Sequence, residues 1–289
     1  MTYMHEHLRI DLSNEKKDID CLLDEYDHIR NELNDLAARG LKRIVDMSCR
    51  GLGRDYAYLD AMEKETGIEI IVSTGFYKDP FLPPIVQLYS IKDLSALMIE
   101  DIEKGVEGSK RKAKIIGEIG SSQNCMTENE EKVFRAAALA HEKTNIPIST
   151  HTTLGTLGWE QLILLKSLGV DPAYIIIGHL DLADDEDQIF KVLDHGAYVE
   201  FDTIGKIKFL SDQKRIAYIR NCCDRGYGKQ LLLSMDITRR SHLKANGGIG
   251  YAYLVDSFLP RLRQAGVSEP AIMNMLDLNP KNIFKEALK

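Results

Sequence analysis

Eight short apolar runs, separated by longer stretches with helical spacing, are the feature that most narrows what this chain can fold into. They read "YMHEHL", "LKRIVDMS", "IEIIVSTG", "AKIIGEIG", "IPISTH", "YIIIGH", "AYVEFDTIG" and "LLLSMDI". Each is rich in β-branched or aromatic residues, and none is much longer than one strand. The segments between them have a different period. "ENEEKVFRAAALAHEKTN" places Val133, Ala136, Ala137 and Ala140 along one stripe, with Thr127 as N-cap and Glu130 as its capping-box partner. Strand and helix alternate from end to end, with no Pro/Gly-rich linker and no shift in composition. That pattern predicts one α/β domain over residues 1–289, a (β/α)8 TIM barrel, rather than two domains. A doubly wound open sheet would want a Gly-rich turn after its first strand, and "HEHLRIDLS" has none.

Composition removes whole classes of function. The 289 residues are 44% hydrophobic and 28% charged, with a formal net charge of -7, as in a globular protein without a basic footprint for nucleic acid or an anionic membrane. No stretch approaches the roughly 18 apolar residues of a membrane span, and the first residues have no basic segment followed by an apolar one. The expectation is a cytoplasmic protein, with room left for a homo-oligomer. Five cysteines, Cys21, Cys49, Cys125, Cys222 and Cys223, show no C-x-x-C spacing, so neither a disulfide framework nor a thiolate zinc site is expected.

Barrels of this type carry their chemistry where strands end. His5 and His7 close the first run, Glu118 lies near the end of the fourth, His151 ends the fifth, His179 the sixth and Asp236 the eighth. In a strand, residues i and i+2 face the same way about 6 to 7 Å apart, so the His-x-His pair can reach one ion. A single His or Asp at a strand end is more often a helix N-cap or a satisfied polar group. Six such residues at one rim point instead to an N/O-rich site for two divalent ions. Zinc leads, with manganese, cobalt and iron(II) as alternatives. Asp181, two residues after His179, can orient it; its competing role is as a cap for the next helix, for which Asp184 is an equal candidate. His28, His141 and His195 fall on helices or their ends and read as surface groups.

These residues resemble the phosphotriesterase-like branch of the amidohydrolase superfamily. The likeness spans essentially the whole chain: "HEHL" at the start, "GLGRD" after the second strand, "STHT" around His151, "GHLDLADD" around His179, "SMDI" around Asp236 and "NP" at 279 and 280. The resemblance implies a binuclear site, with His5, His7 and Asp236 on the more buried metal and His151 and His179 on the more exposed one. Most relatives bridge the metals with a carbamylated lysine on the fourth strand. No lysine stands there here, so Glu118 takes the bridging place. An ungapped match sets Glu118 one residue late, so the strand needs a β-bulge beside Gly117 to turn its side chain round. At the end of the seventh strand the phosphotriesterase Asp-His pair is replaced by Asp202 and Thr203, and Thr cannot relay a proton as imidazole does.

The chemistry that the resemblance implies is metal-assisted hydrolysis, in which activated water attacks a substrate carbonyl or phosphoryl group and Asp236 accepts the proton. Tyr77, in "GFYKDPFLPP", is placed near the substrate; Phe76 and Phe81 beside it are equally suited to core or lid packing. After the eighth strand, Arg239, Arg240, His242 and Lys244 crowd the position where barrels commonly hold phosphate, with Arg239 and Lys244 as substrate-binding candidates. A solvated basic loop is the competing reading, and Asn246, Gly247 and Gly248 would let the loop move as a lid. The expected substrate is a carboxylic ester or lactone, including phosphorylated sugar lactones. The alternatives are an organophosphate ester and a catalytically silent metal-binding barrel.

Overall fold

The structure, a computed structural model, describes residues 1–284. Eight strands are β1 (Thr2–Glu6), β2 (Arg43–Asp46), β3 (Glu69–Thr74), β4 (Ile115–Ser121), β5 (Ile148–Thr152), β6 (Ile175–Gly178), β7 (Tyr198–Phe201) and β8 (Leu231–Leu233). They lie in sequence order in a single sheet. Seven principal helices lie between them: α1 (Tyr26–Ala38), α2 (Tyr56–Thr66), α3 (Ile91–Glu103), α4 (Glu128–Thr144), α5 (Gly158–Ser167), α6 (Glu186–Leu193) and α7 (Asp212–Asp224). This is the expected (β/α)8 TIM barrel. A two-residue antiparallel pair, Ile10–Asp11 with Leu22–Leu23, precedes α1. No helix among the described residues is long and apolar enough to cross a membrane.

The chain gathers into two compact units, and β3 and β7 each run from one into the other. The first comprises Met1–Ser48, Leu52–Ile71 and Phe201–Pro280. Within it β1 pairs with β2 in parallel, but the register slips: Tyr3 stands opposite Ile44 and Glu6 opposite Asp46, so β1 carries one extra residue between those two pairs. β8 meets β1 through Asp236 N, which donates to His5 O at 3.3 Å, and meets the end of β7 through Ser234 N, which donates to Phe201 O at 3.1 Å. α1 buries Ile29, Leu33 and Leu36, a stripe at helical spacing. The Asn279 side chain of the "NP" motif is buried and donates to Gly228 O and Leu231 O, pinning the C-terminal helical segment beneath β8.

Among the described residues, the second unit comprises Cys49–Gly51, Val72–Glu200 and 281–284. Its strands β4 to β7 are parallel neighbours. α4 has the expected capping box between Thr127 and Glu130, buries Val133, Ala136, Ala137 and Ala140, and stops at Asn145 in the left-handed conformation. The Glu130 carboxylate does more than cap. It also accepts from Asp79 N at 3.1 Å and from Ser122 N at 3.0 Å, tying the loops after β3 and β4 to the head of α4. His141, expected at the surface, is instead buried, with Nδ1 at 2.8 Å from Ile146 O. It extends the apolar stripe one turn beyond Ala137, and a hydrogen bond to the carbonyl satisfies its ring there.

Candidate metal centre

In the first unit four donors of metal-ligand type come together at the ends of β1, β7 and β8. The His5 and His7 rings lie 5.6 Å apart, centre to centre, although β1 itself stops at Glu6. His7 Nδ1 is 2.9 Å from the Ser48 hydroxyl, and its Nε2 faces Asp236 Oδ1 at 3.3 Å. His5 stands between two carboxylates, with Nε2 at 3.8 Å from Asp236 Oδ1 and Nδ1 at 3.5 Å from Asp202 Oδ2. All four side chains are buried. The turn after His7 is set by Asp46, whose two oxygens accept from Leu8 N and Ser48 N, both at 2.9 Å.

Asp236 projects from a turn in which its own φ is +49°, a region that non-glycine residues seldom occupy. The buried Glu6 carboxylate accepts from the amides of Met235 and Ile237 on either side of it. Burial pushes the Glu6 carboxyl up to about 7, against the hydrogen bonds from Ile237, Ser234 and Met235 that favour its charged form. The Lys206 ammonium meets the other Asp236 oxygen, Oδ2. The Thr203 hydroxyl accepts from the buried Arg215 guanidinium at 3.0 Å, which ties it to the scaffold of the β7 loop.

In the second unit Glu118, His151 and His179 place one donor atom each within 4.8 Å of one another. The expected bulge is present: Ile116 stands opposite Ile148 and Ile119 opposite Thr150, so three steps along β4 match two along β5. Gly117, at φ +145°, takes the conformation this requires, and Glu118 turns toward the histidines. Its Oε2 lies 3.1 Å from His151 Nδ1 and 3.5 Å from His179 Nε2, and the two rings are 4.6 Å apart. The Cys49 thiol lies 3.7 Å from the Glu118 carbonyl, packed beneath the bulge. Burial, and then the neighbouring His179, push His151 down to about 4, so its imidazole is neutral and keeps a lone pair for a cation. The Tyr77 hydroxyl reaches His151 Nε2 at 3.2 Å, and Phe81 packs on the Tyr77 ring while Phe76 is core.

Asp181 is buried in the turn that succeeds His179. The cap of α6 is neither Asp181 nor Asp184 but Asp185, whose carboxylate accepts from Asp187 N and Gln188 N. Asp184 instead sits at φ +54° in the turn, a backbone position from which it does not cap.

The basic residues after β8 are held by acidic residues of the segment before α1. Arg239 Nη1 donates to Asp18 Oδ2 at 2.8 Å and to Asp20 Oδ2 at 3.3 Å, and its guanidinium holds the Asp18 carboxyl below its usual range. Arg240 donates to Asp24 Oδ1 at 2.6 Å and to Leu22 O at 2.7 Å. Lys244 uses its backbone amide on Glu32, at 2.6 Å, and its side chain is exposed. The Asn246 side chain donates to Glu25 and to Arg240 O.

Within the first unit His5, His7 and Asp236 thus lie buried together, and within the second Glu118 and His179 are buried with His151 partly exposed beside them. Glu6, Ser48, Asp46 and Lys206 escape sequence reasoning. A hint lies in "YMHEHL", where a carboxylate stands in a run whose other members are apolar or histidine.

The whole described chain, residues 1–284, matches the model of the phosphotriesterase family. It is 49% identical to the phosphotriesterase homology protein of Escherichia coli (strain K12), over 98% of this chain and 97% of that one. The crystal structure of that protein, complexed with phosphate in its active site, superposes with a TM-score of 0.96 over 98% of each chain. An aryldialkylphosphatase of Saccharolobus solfataricus is 32% identical over 98% of this chain and 94% of its own. A lactonase from Listeria monocytogenes, 30% identical, superposes with a TM-score of 0.93, covering 98% of this chain and 94% of that one. With buried His/Glu/Asp clusters of metal-ligand type on a TIM barrel that matches over its described length, the chain belongs to the phosphotriesterase family of metal-dependent hydrolases.

Proposed function

We propose that residues 1–289 act as one hydrolase domain that holds two divalent metal ions, zinc first among them, and cleaves small carboxylic esters or lactones. The observation that carries the reading is donor spacing. Ligands about 2.0 to 2.2 Å from a tetrahedral zinc ion stand about 3.3 to 3.6 Å from one another. The separations are 3.3 and 3.8 Å around Asp236 Oδ1, and 3.1 and 3.5 Å around Glu118 Oε2, which bracket that range. Both groups are imidazole and carboxylate, the donor chemistry that suits such ions.

His5, His7 and Asp236 would hold one ion, His151 and His179 the other, and Glu118 would serve as a ligand in the place family members give to a modified lysine. Bound there, the ions would supply the chemistry of water activation and Lewis-acid polarisation of the scissile group. The protein supplies the rest. Asp236 takes the proton at its carboxylate and returns it to the leaving oxygen. Tyr77, its hydroxyl beside His151, orients the substrate carbonyl at the rim. Asp181 orients His179 from the turn behind it.

The lactonase and the aryldialkylphosphatase among its relatives support ester hydrolysis of two kinds. The lactone reading is the stronger here, because Thr203 is engaged by Arg215 and offers no imidazole relay for fast phosphotriester turnover. A phosphorylated sugar lactone, its phosphate on Arg239 and Lys244, draws support from the phosphate in the active site of the E. coli relative. The pairing of Arg239 with Asp18 and Asp20 favours an uncharged lactone instead. A panel of lactones, their phosphorylated forms and aryl dialkyl phosphates, assayed on metal-reconstituted protein, tests the reading. Turnover of lactones above phosphotriesters is expected. Metal-loaded protein inert to every member would leave a silent metal-binding barrel.

A further inference from the structure

Glu6 stands between the two histidines of β1, yet its carboxylate serves the turn after β8. Oε1 accepts from the amide of Met235 at 2.7 Å and lies 2.8 Å from the Ser234 hydroxyl, while Oε2 accepts from the amide of Ile237 at 3.1 Å. The residue between those two amides is Asp236, held at φ +49°. Such a conformation persists only where its surroundings impose it. Here the carboxylate grips both flanks of the turn, and Asp236 N is tied to His5 O at 3.3 Å. Glu6 has no solvent exposure, so water cannot take the place of these bonds.

We propose that Glu6 is the positioning residue for Asp236. One three-residue segment then supplies two donors through the His5 and His7 imidazoles and places the third by holding its turn. The assignment rests on reading the Asp236 group as a metal site. A carboxylate is needed because it only accepts, and every neighbour it meets here can donate. An amide of the same shape cannot replace it: whichever way Gln is turned, its NH2 faces the N–H of Met235 or of Ile237.

The test is Glu6→Gln in the full chain, read three ways. Zinc affinities measured by equilibrium dialysis should show one of the two ions weakened about 10- to 100-fold and the other unchanged, the scale for groups that orient ligands. In the cobalt-loaded protein, the absorption bands of that same ion should shift. Amide exchange of Met235 and Ile237 in the metal-free protein should speed up at least about tenfold. A role confined to stability would weaken both ions together, or neither. Unchanged zinc affinities with unchanged amide protection would overturn the proposal. If Glu6→Gln fails to fold, Ser234→Ala removes one donor and keeps the carboxylate; a loss of about two- to tenfold confined to the same ion is expected, and equal affinities would overturn the proposal. If wild-type protein binds no zinc at all, the metal reading fails, and amide exchange alone decides whether Glu6 holds the turn.

Discussion

The Lys206 ammonium meets Oδ2 of Asp236, while Oδ1 of the same carboxylate faces His7 Nε2 at 3.3 Å. The two oxygens therefore have different neighbours, one of metal-ligand type and one a cation. The proposed division of labour is metal binding at Oδ1 and proton handling at Oδ2. Asp236→Asn keeps an oxygen for the former and loses the latter. It should reduce turnover by at least about a hundredfold, the scale of general acid–base contributions, with metal content largely retained. Wild-type turnover in the variant would refute the role.

Arg239 divides the two lactone readings. If it anchors a substrate phosphate, Arg239→Ala should cost about ten- to a hundredfold in kcat/KM on a phosphorylated lactone and leave the unphosphorylated analogue nearly untouched. If its work is the pairing with Asp18 and Asp20, both substrates should change together. A wild type that prefers the unphosphorylated compound removes the phosphate anchor outright.

His151 gives the metal-free protein an acid sensitivity whose direction is fixed. Its folded value, about 4, lies below the ordinary 6.5, so the unfolded chain takes up the proton first as pH falls. The stability in question is complete above pH 6.5 and declines between 6.5 and 4, by about 3 kcal/mol at most at about 1.4 kcal/mol for each unit. Urea unfolding of chelator-treated wild type and His151→Leu across that range should show a flatter profile for the variant. Parallel profiles would contradict it.

Periodicity carries the fold, because each strand has to be apolar to lie inside a barrel and each helix has to bury a stripe. The residues of metal-ligand type are legible for a related reason: His5, His7, His151, His179 and Asp236 close apolar runs, where a polar side chain has to be explained. Even the bulge at Glu118 can be expected, since adjacent Gly117 permits it and the regular strand does not. What stays hidden depends on distant partners. Glu6 meets Ile237 across 231 positions and Arg239 meets Asp18 across 221, and no local pattern announces either pair. His141 is a different failure, because it continues the Val133–Ala137 stripe at helical spacing, and polarity alone assigns it wrongly to the surface.

The central claim, that each of the two donor groups holds a metal ion, is tested most directly by anomalous scattering at the zinc edge from crystals of the reconstituted protein. Two peaks are predicted, one bound by His5, His7 and Asp236 and one by His151 and His179 with Glu118 as a ligand. A single peak, no peak, or two peaks with the Glu118 carboxylate turned away would contradict it.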